Sequence, residues 1–182
     1  MALSKTNIVD FAQVIANAQG STVTMNIAYD EVMQNLAQRP DPPLLESTAF
    51  TISSGTASYT FPSAAIKIVG LFNESRQLRF TNRVELESYN REWRASSDDT
   101  PLAFFTEEDT LRSMRLFPSP STGSTGTWLM SVVPTAVPEY MALYIAFMIL
   151  EKEFAYLSDH QDKEFSTVCG QIAVGFGKLI GF

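Results

Sequence analysis

The chain has 182 residues, 45% of them hydrophobic, and its 20 acidic against 13 basic residues give a formal charge of -7. That length and apolar content can build a core without staples, which excludes intrinsic disorder and a small disulfide scaffold. The acidic balance argues against an exterior that embraces nucleic-acid phosphates. A single cysteine, Cys169, and a single histidine, His160, leave neither an intramolecular disulfide nor the ligands of a usual zinc site.

Met1 to Asp10 lacks the apolar stretch of a secretory signal, so export is not expected. The most apolar run, Tyr140 to Leu150, meets Glu151-Lys152-Glu153 after about half of the ~20 residues a bilayer requires. It reads as a buried helix, and no membrane partner is expected. Prolines 40, 42 and 43 and prolines 134 and 138 divide a single domain, 1–182, into three sections, 1–43, 44–134 and 135–182. Their net charges are -2, -2 and -3, from 2 bases and 4 acids, 8 and 10, and 3 and 6.

In the first section Ser4 is a candidate N-cap, and Ile8, Phe11, Ile15 and Ala18 share one helical face before Gly20 ends the helix. Thr22 or Thr24 can cap a second helix, with Met25, Tyr29, Val32, Met33 and Leu36 as its stripe up to Arg39-Pro40. The middle section changes period. Phe50, Ile52, Tyr59 and Phe61 alternate around Ser53-Ser54-Gly55-Thr56 and suggest a hairpin. Strands follow at 66–72 and 77–80, then a helix over 82–93 capped by Asn82 with Glu85, then strands at 102–106, 111–117 and 127–133. Ser119 to Gly126 reads as an exposed loop that orders on assembly.

The last section is helical again. Pro138 and Glu139 suit a first turn. The run 140–150 is apolar on nearly every face and so should sit at the centre of a bundle. After Ser158-Asp159 a second helix carries Phe165, Val168, Cys169, Ile172, Phe176, Leu179 and Ile180 as its stripe, weakened by Gly170, Gly175, Gly177 and Gly181. The expected fold class is α+β: a four-helix bundle from the two terminal helix pairs, with an inserted β-sheet subdomain carrying one helix.

Residues that could carry chemistry are few. No phosphate-binding loop, dinucleotide fingerprint, zinc-protease helix or nucleophile elbow occurs. His160 lies in a polar turn and reads as a solvated or capping residue, and Cys169 as a core residue. The acids Asp98-Asp99 and Glu107-Glu108-Asp109 fall in turns, where solvation outranks metal binding or acid–base work. Seven of eight arginines, Arg76, Arg79, Arg83, Arg91, Arg94, Arg112 and Arg115, cluster in the middle section. They could contact phosphates, but the interleaved acids Glu85, Glu87, Glu92, Glu107, Glu108 and Asp109 favour pairing, as intersubunit contacts. Trp93, Trp128, Phe104, Phe105 and Tyr89 are read as core before recognition surface. The apolar end, Gly177 to Phe182, either tucks into its own bundle or meets a neighbour.

One series of residues carries a family pattern. Tyr89-Asn90-Arg91-Glu92-Trp93 is followed by a polar turn, Thr100-Pro101-Leu102-Ala103-Phe104-Phe105, then Leu116-Phe117-Pro118-Ser119-Pro120, Trp128 to Val133, Pro134, and Pro138-Glu139-Tyr140. Over about residues 60–165 this resembles the head-to-tail adaptor (connector) proteins of tailed bacteriophages. The resemblance implies a structural virion protein at the head–tail junction, assembled in the host cytoplasm. It would form a homo-oligomeric ring, commonly a dodecamer, between the portal protein and the tail or nozzle proteins. That ring extends the DNA channel without sequence-specific binding and provides the tail attachment platform. No enzyme activity, catalytic residues, metal or cofactors are implied, and the C-terminal residues Leu179, Ile180 and Phe182 become candidate portal contacts. Other tail-completion or tail-tube proteins, a hydrolase running on the acids, and a module binding host proteins are the alternative readings.

Overall fold

The computed structural model describes residues 2–17, 21–89, 91–106, 112–155 and 160–181, with the backbone alone at 160–162. In chain order the elements are β1 (Ala2–Ser4), α1 (Lys5–Ile15), α2 (Thr22–Gln38), β2 (Leu45–Ile52), β3 (Ser58–Thr60), β4 (Lys67–Asn73), β5 (Arg76–Gln77) and β6 (Arg79–Phe80). Then come α3 (Arg83–Tyr89), a 3-10 turn (Trp93–Ala95), β7 (Ser97–Asp98), β8 (Ala103–Thr106), β9 (Ser113–Phe117), β10 (Ser119–Pro120), β11 (Ser124–Ser131), β12 (Ala136–Pro138), α4 (Glu139–Ala155) and α5 (His160–Leu179). The fold is mixed α+β, and the chain divides into two compact units: Met1–Leu44 with Val133–Phe182, and Leu45–Val132.

The first unit is helical. Ser4 caps α1 through a reciprocal pair: its Oγ accepts from the Asn7 amide at 3.4 Å, and Asn7 Oδ1 accepts from the Ser4 amide at 3.2 Å. Ile8, Val9, Ala12 and Ala16 form the buried face. Phe11 does not join them, because three residues on from Ile8 it has turned to the far flank, where it is exposed. Ala18 and Gly20 lie outside the described residues. Helix α2 is capped by Ser21, one residue before the expected threonines: its Oγ accepts from Val23 N at 3.3 Å, while the Thr24 hydroxyl bonds Ser21 O at 2.9 Å. Met25, Tyr29, Val32, Met33 and Leu36 are buried as the stripe requires.

Helix α4 is the centre of this unit, packed against α1, α2 and α5. Lys152 and Glu153 meet α2 on one side, through Glu31 at 2.7 Å and through Ser21 and Thr24. Phe147, Glu151 and Phe154 meet α5 on the other, through Phe176, Ser166 and Phe165. At 100° per residue these two sets point in opposite directions, so α4 is a middle layer. Its apolar content follows from that position: Met141, Ala142, Ile145, Ala146, Ile149 and Leu150 are all buried. A two-strand ribbon adds to the unit. Here β1 pairs antiparallel with β12, Ala2 opposite Pro138, so Pro138 ends a strand and Glu139 begins the helix.

Helix α5 keeps part of the expected stripe, Cys169 being buried and Phe165, Phe176 and Ile180 packed against the core, and otherwise buries small residues. Ser166, Cys169, Gly170, Ala173 and Gly177 face inward, Phe165, Phe176 and Ile180 flank the seam, and Val168, Ile172 and Leu179 are exposed. Small side chains let α5 approach α4 closely. The glycines read as weak points in the sequence therefore include packing residues.

The second unit holds two four-stranded sheets, β2-β11-β4-β5 and β3-β9-β8-β6. Phe50–Ile52 and Tyr59–Phe61 are not ladder partners: β2 pairs with β11 and β3 with β9, which sends the chain from one sheet to the other. The Tyr59 side chain closes that turn instead, its hydroxyl accepting from Ser53 N at 2.9 Å and donating to Thr56 O at 2.8 Å. Ile52, Leu71, Leu78, Phe104, Met114, Leu116 and Trp128 form one core cluster with both sheets contributing. The expected helix over 82–93 is shorter, seven residues of α3 followed by the 3-10 turn at Trp93, with Asn90 outside the described residues. Asn82 Oδ1 accepts from Glu85 N at 2.8 Å, as a cap does.

Candidate interaction surfaces

The arginines of the middle section are distributed among local partners. Arg79 pairs with Glu85, whose other oxygen accepts from the buried Thr81 hydroxyl at 2.7 Å. Arg83 pairs with Glu87 one helical turn on, at 2.7 Å. Arg94 and Arg115 stand over the Trp93 ring at 5.1 and 5.6 Å. Arg112 donates from Nη2 to the carbonyls of Ser63 and Ala65 at 3.1 and 3.2 Å, framing a cavity of about 410 Å3 lined by Phe61, Ile68, Phe80 and Phe104. Arg76 and Arg91 have no side-chain partner among the described residues and are exposed.

Asp98 and Asp99 hold the following loop together. Asp99 accepts from the Ser121 hydroxyl, Asp99 O from Thr122 Oγ1 at 3.1 Å, and Asp98 O from Ser121 N at 2.8 Å. Much of the supposed mobile segment 119–126 is accordingly ordered strand, β10 and the start of β11. Glu107, Glu108 and Asp109 lie outside the described residues, among which no group of three or more metal-capable side chains converges. Trp93 and Trp128 are buried, each in its own cluster, with Phe105 and Phe104 respectively, while Tyr89 is exposed. Cys169 is buried, and desolvation, followed by the Glu151 carboxylate, pushes its thiol up to about 11. The His160 side chain and Phe182 lie outside the described residues.

Several large apolar side chains also stand on the surface of the helical unit. On α5, Val168 is 50%, Val174 57% and Leu179 83% exposed, with Ile180 half-buried. On the α1 and α2 layer, Val14 is 76%, Val23 69% and Ile27 56% exposed. The expected stripes did not contain Val14, Val23 or Ile27, although the four-residue spacing of Val23 and Ile27 marks a shared face. Such faces on a small unit mark contact with other chains. No helix among the described residues is long and apolar enough to cross a membrane.

Comparison with known families places this α+β chain among the adaptor proteins of bacteriophages. The family model described as SU10 adaptor protein matches residues 7–162, and the chain belongs to that family. The match spans both compact units and ends in the first turn of α5. No curated protein matches the chain.

Proposed function

We propose that this adaptor forms a ring, a dodecamer, between the portal and the tail, where it extends the DNA channel and offers the platform on which the tail is built. The observation that carries the reading is the family match over residues 7–162, supported by the exposed apolar end of α5. Its role is structural. The helices α1, α2, α4 and α5 act as one four-helix bundle, and the β-rich section 44–134 is the part that meets neighbours or the tail. Leu179 and Ile180, with Phe182, contact the portal. Arg76 and Arg91 are the arginines most available for intersubunit or tail contacts, the remaining five having local partners.

The net charge of -7 suits a subunit that surrounds DNA without holding it, because carboxylates repel phosphates and leave no cationic track for the duplex. The test is co-sedimentation of the purified protein with the purified portal ring. Binding at a fixed ratio of adaptor to portal subunits is expected. Independent sedimentation of the two across a range of salt concentrations would contradict the reading. Leu179→Asp should abolish the binding while leaving the helical content unchanged.

A further inference from the structure

Helix α5 is an unusual surface helix. Between Phe165 and Gly181 its only charged residue is Lys178, and Val168, Ile172 and Val174 are exposed. An outward face with a single charge over four turns is ordinarily a covered face. A second uncovered apolar face lies across α4, on the α1 and α2 layer. Val23 and Ile27 stand one turn apart on α2, and Asp10 and Val14 one turn apart on α1. The hydrogen bond from Gln13 to Thr22 ties the end of α1 to the start of α2. Asp10, Gln13, Val14 and Asn17 line a shallow groove along α1.

We infer that α5 of one copy lies on the α1 and α2 face of the next copy, with Val168 and Ile172, one turn apart on α5, against Val23 and Ile27, one turn apart on α2, and Lys178 beside Asp10. This rests on the ring reading above and names the surface that closes the ring. Charge is complementary: Lys178 and Asp10 each lack an ion-pair partner among the described residues. The geometry is that of a heterologous contact, because the two faces lie on opposite sides of α4. Such a contact repeats from copy to copy and closes as a ring, whereas an isologous pair using either face would leave the other bare. The α5 face is also preformed, since Ser166, Cys169, Gly170 and Ala173 seat the helix on α4 before any partner arrives. The last turn, with Leu179 and Ile180, is left for the portal.

The test uses portal-bearing heads that lack this protein. Wild-type protein and the Val23→Cys/Val168→Cys variant are bound to them, collected by sedimentation and oxidised. The native thiol stays in place, being buried, and both new cysteines are on exposed positions, so folding is preserved. The inference expects a covalent ladder running beyond the dimer with the double variant and none with either single variant. A double variant that sediments in the wild-type amount and gives no ladder would overturn the inference and leave the ring standing. A dimer from Val168→Cys alone would also overturn it, since that reports α5 against α5. Wild-type protein that fails to sediment with heads contradicts the ring itself. As a second arm, Lys178→Glu and Asp10→Lys should each lower the bound amount by roughly tenfold, because one weakened contact recurs at every step around the ring. Combining them should restore it, and failure to restore counts against the pairing.

Discussion

The carboxylate of Glu151 on α4 lies against Gly170 on α5, so close that a Cβ on the glycine would stand 2.7 Å from Oε1. One turn earlier the Ser166 hydroxyl donates to the Glu151 carbonyl at 2.8 Å. Between the ring contacts of Phe154 with Phe165 and Phe147 with Phe176, the two helices meet at residues without bulk, and Gly175, with nothing within 4 Å of its position, shows the contrast on the open side of the same helix. Gly170→Val should lower stability by about 1–3 kcal/mol through overpacking. Gly175→Ala should raise it by about 0.5–1 kcal/mol through helix propensity and reduced chain entropy. Chemical unfolding followed by helical circular dichroism separates the two, and equal effects of the same sign would contradict the account.

Phe50 and Gly126 make the matching arrangement in the sheet unit. The Phe50 ring occupies the space where a Cβ on Gly126 would go, and it is held there by stacking on Trp128 at 4.5 Å and by an edge contact with Tyr59 at 5.3 Å. Gly126→Ala should destabilise this unit by about 1–3 kcal/mol. In a Phe50→Ala background the same change should cost far less, as a double-mutant cycle in urea would show. Tryptophan fluorescence is a clean reporter, because Trp93 and Trp128 both belong to this unit. Equal costs in the two backgrounds would contradict the contact.

Cys169 links burial to alkaline stability. Its thiol is pushed up from 9.0 to about 11 by desolvation and then by Glu151, so the folded chain retains a proton that the unfolded chain releases. The contribution is fully present below pH 9.0 and is lost as pH rises toward about 11. Tyr29 and Tyr59, both raised by burial, add to the loss at higher pH. The difference between wild type and Cys169→Ala isolates the thiol: the wild type should lose stability more steeply over that window. The native thiol should also resist alkylation until the chain unfolds.

Around α3 the acids and bases differ in weight. Glu85→Ala strands the buried Thr81 hydroxyl, which should cost about 1–3 kcal/mol. Arg79→Ala removes only an exposed partner of the same carboxylate, worth about 0–1 kcal/mol. Asn82→Ala removes the cap on Glu85 N, at about 1 kcal/mol. Thermal unfolding of the three variants should place Glu85→Ala lowest.

The stripe of α2 is legible in the sequence because its apolar spacing is regular, the core of α4 because the run 140–150 is apolar on nearly every face, and the cap of α1 because Ser4 stands just before a periodic stretch. The inward face of α5 is not legible from bulk for a physical reason: at a tight helix seam the small residues Gly170, Ala173 and Gly177 go inside and Val168 and Ile172 stay out. Pairing in the β section was hidden for a different reason. Alternation identifies strands such as Phe50–Ile52, but it does not say that β2 joins β11, some eighty residues on, and leaves β3 for another sheet. The arginine cluster was visible, whereas its division among Glu85, Glu87, Trp93 and two carbonyls depends on folding. The apolar outer faces of α1 and α2 escaped notice because Val14, Val23 and Ile27 lie off the core stripes.

The most direct measurement is electron microscopy of portal-bearing heads before and after incubation with the purified protein. The account expects a closed ring of added density at the portal vertex, absent before incubation and absent with Leu179→Asp. Heads that remain unchanged at saturating protein, or density scattered over the capsid instead of at that one vertex, would contradict it.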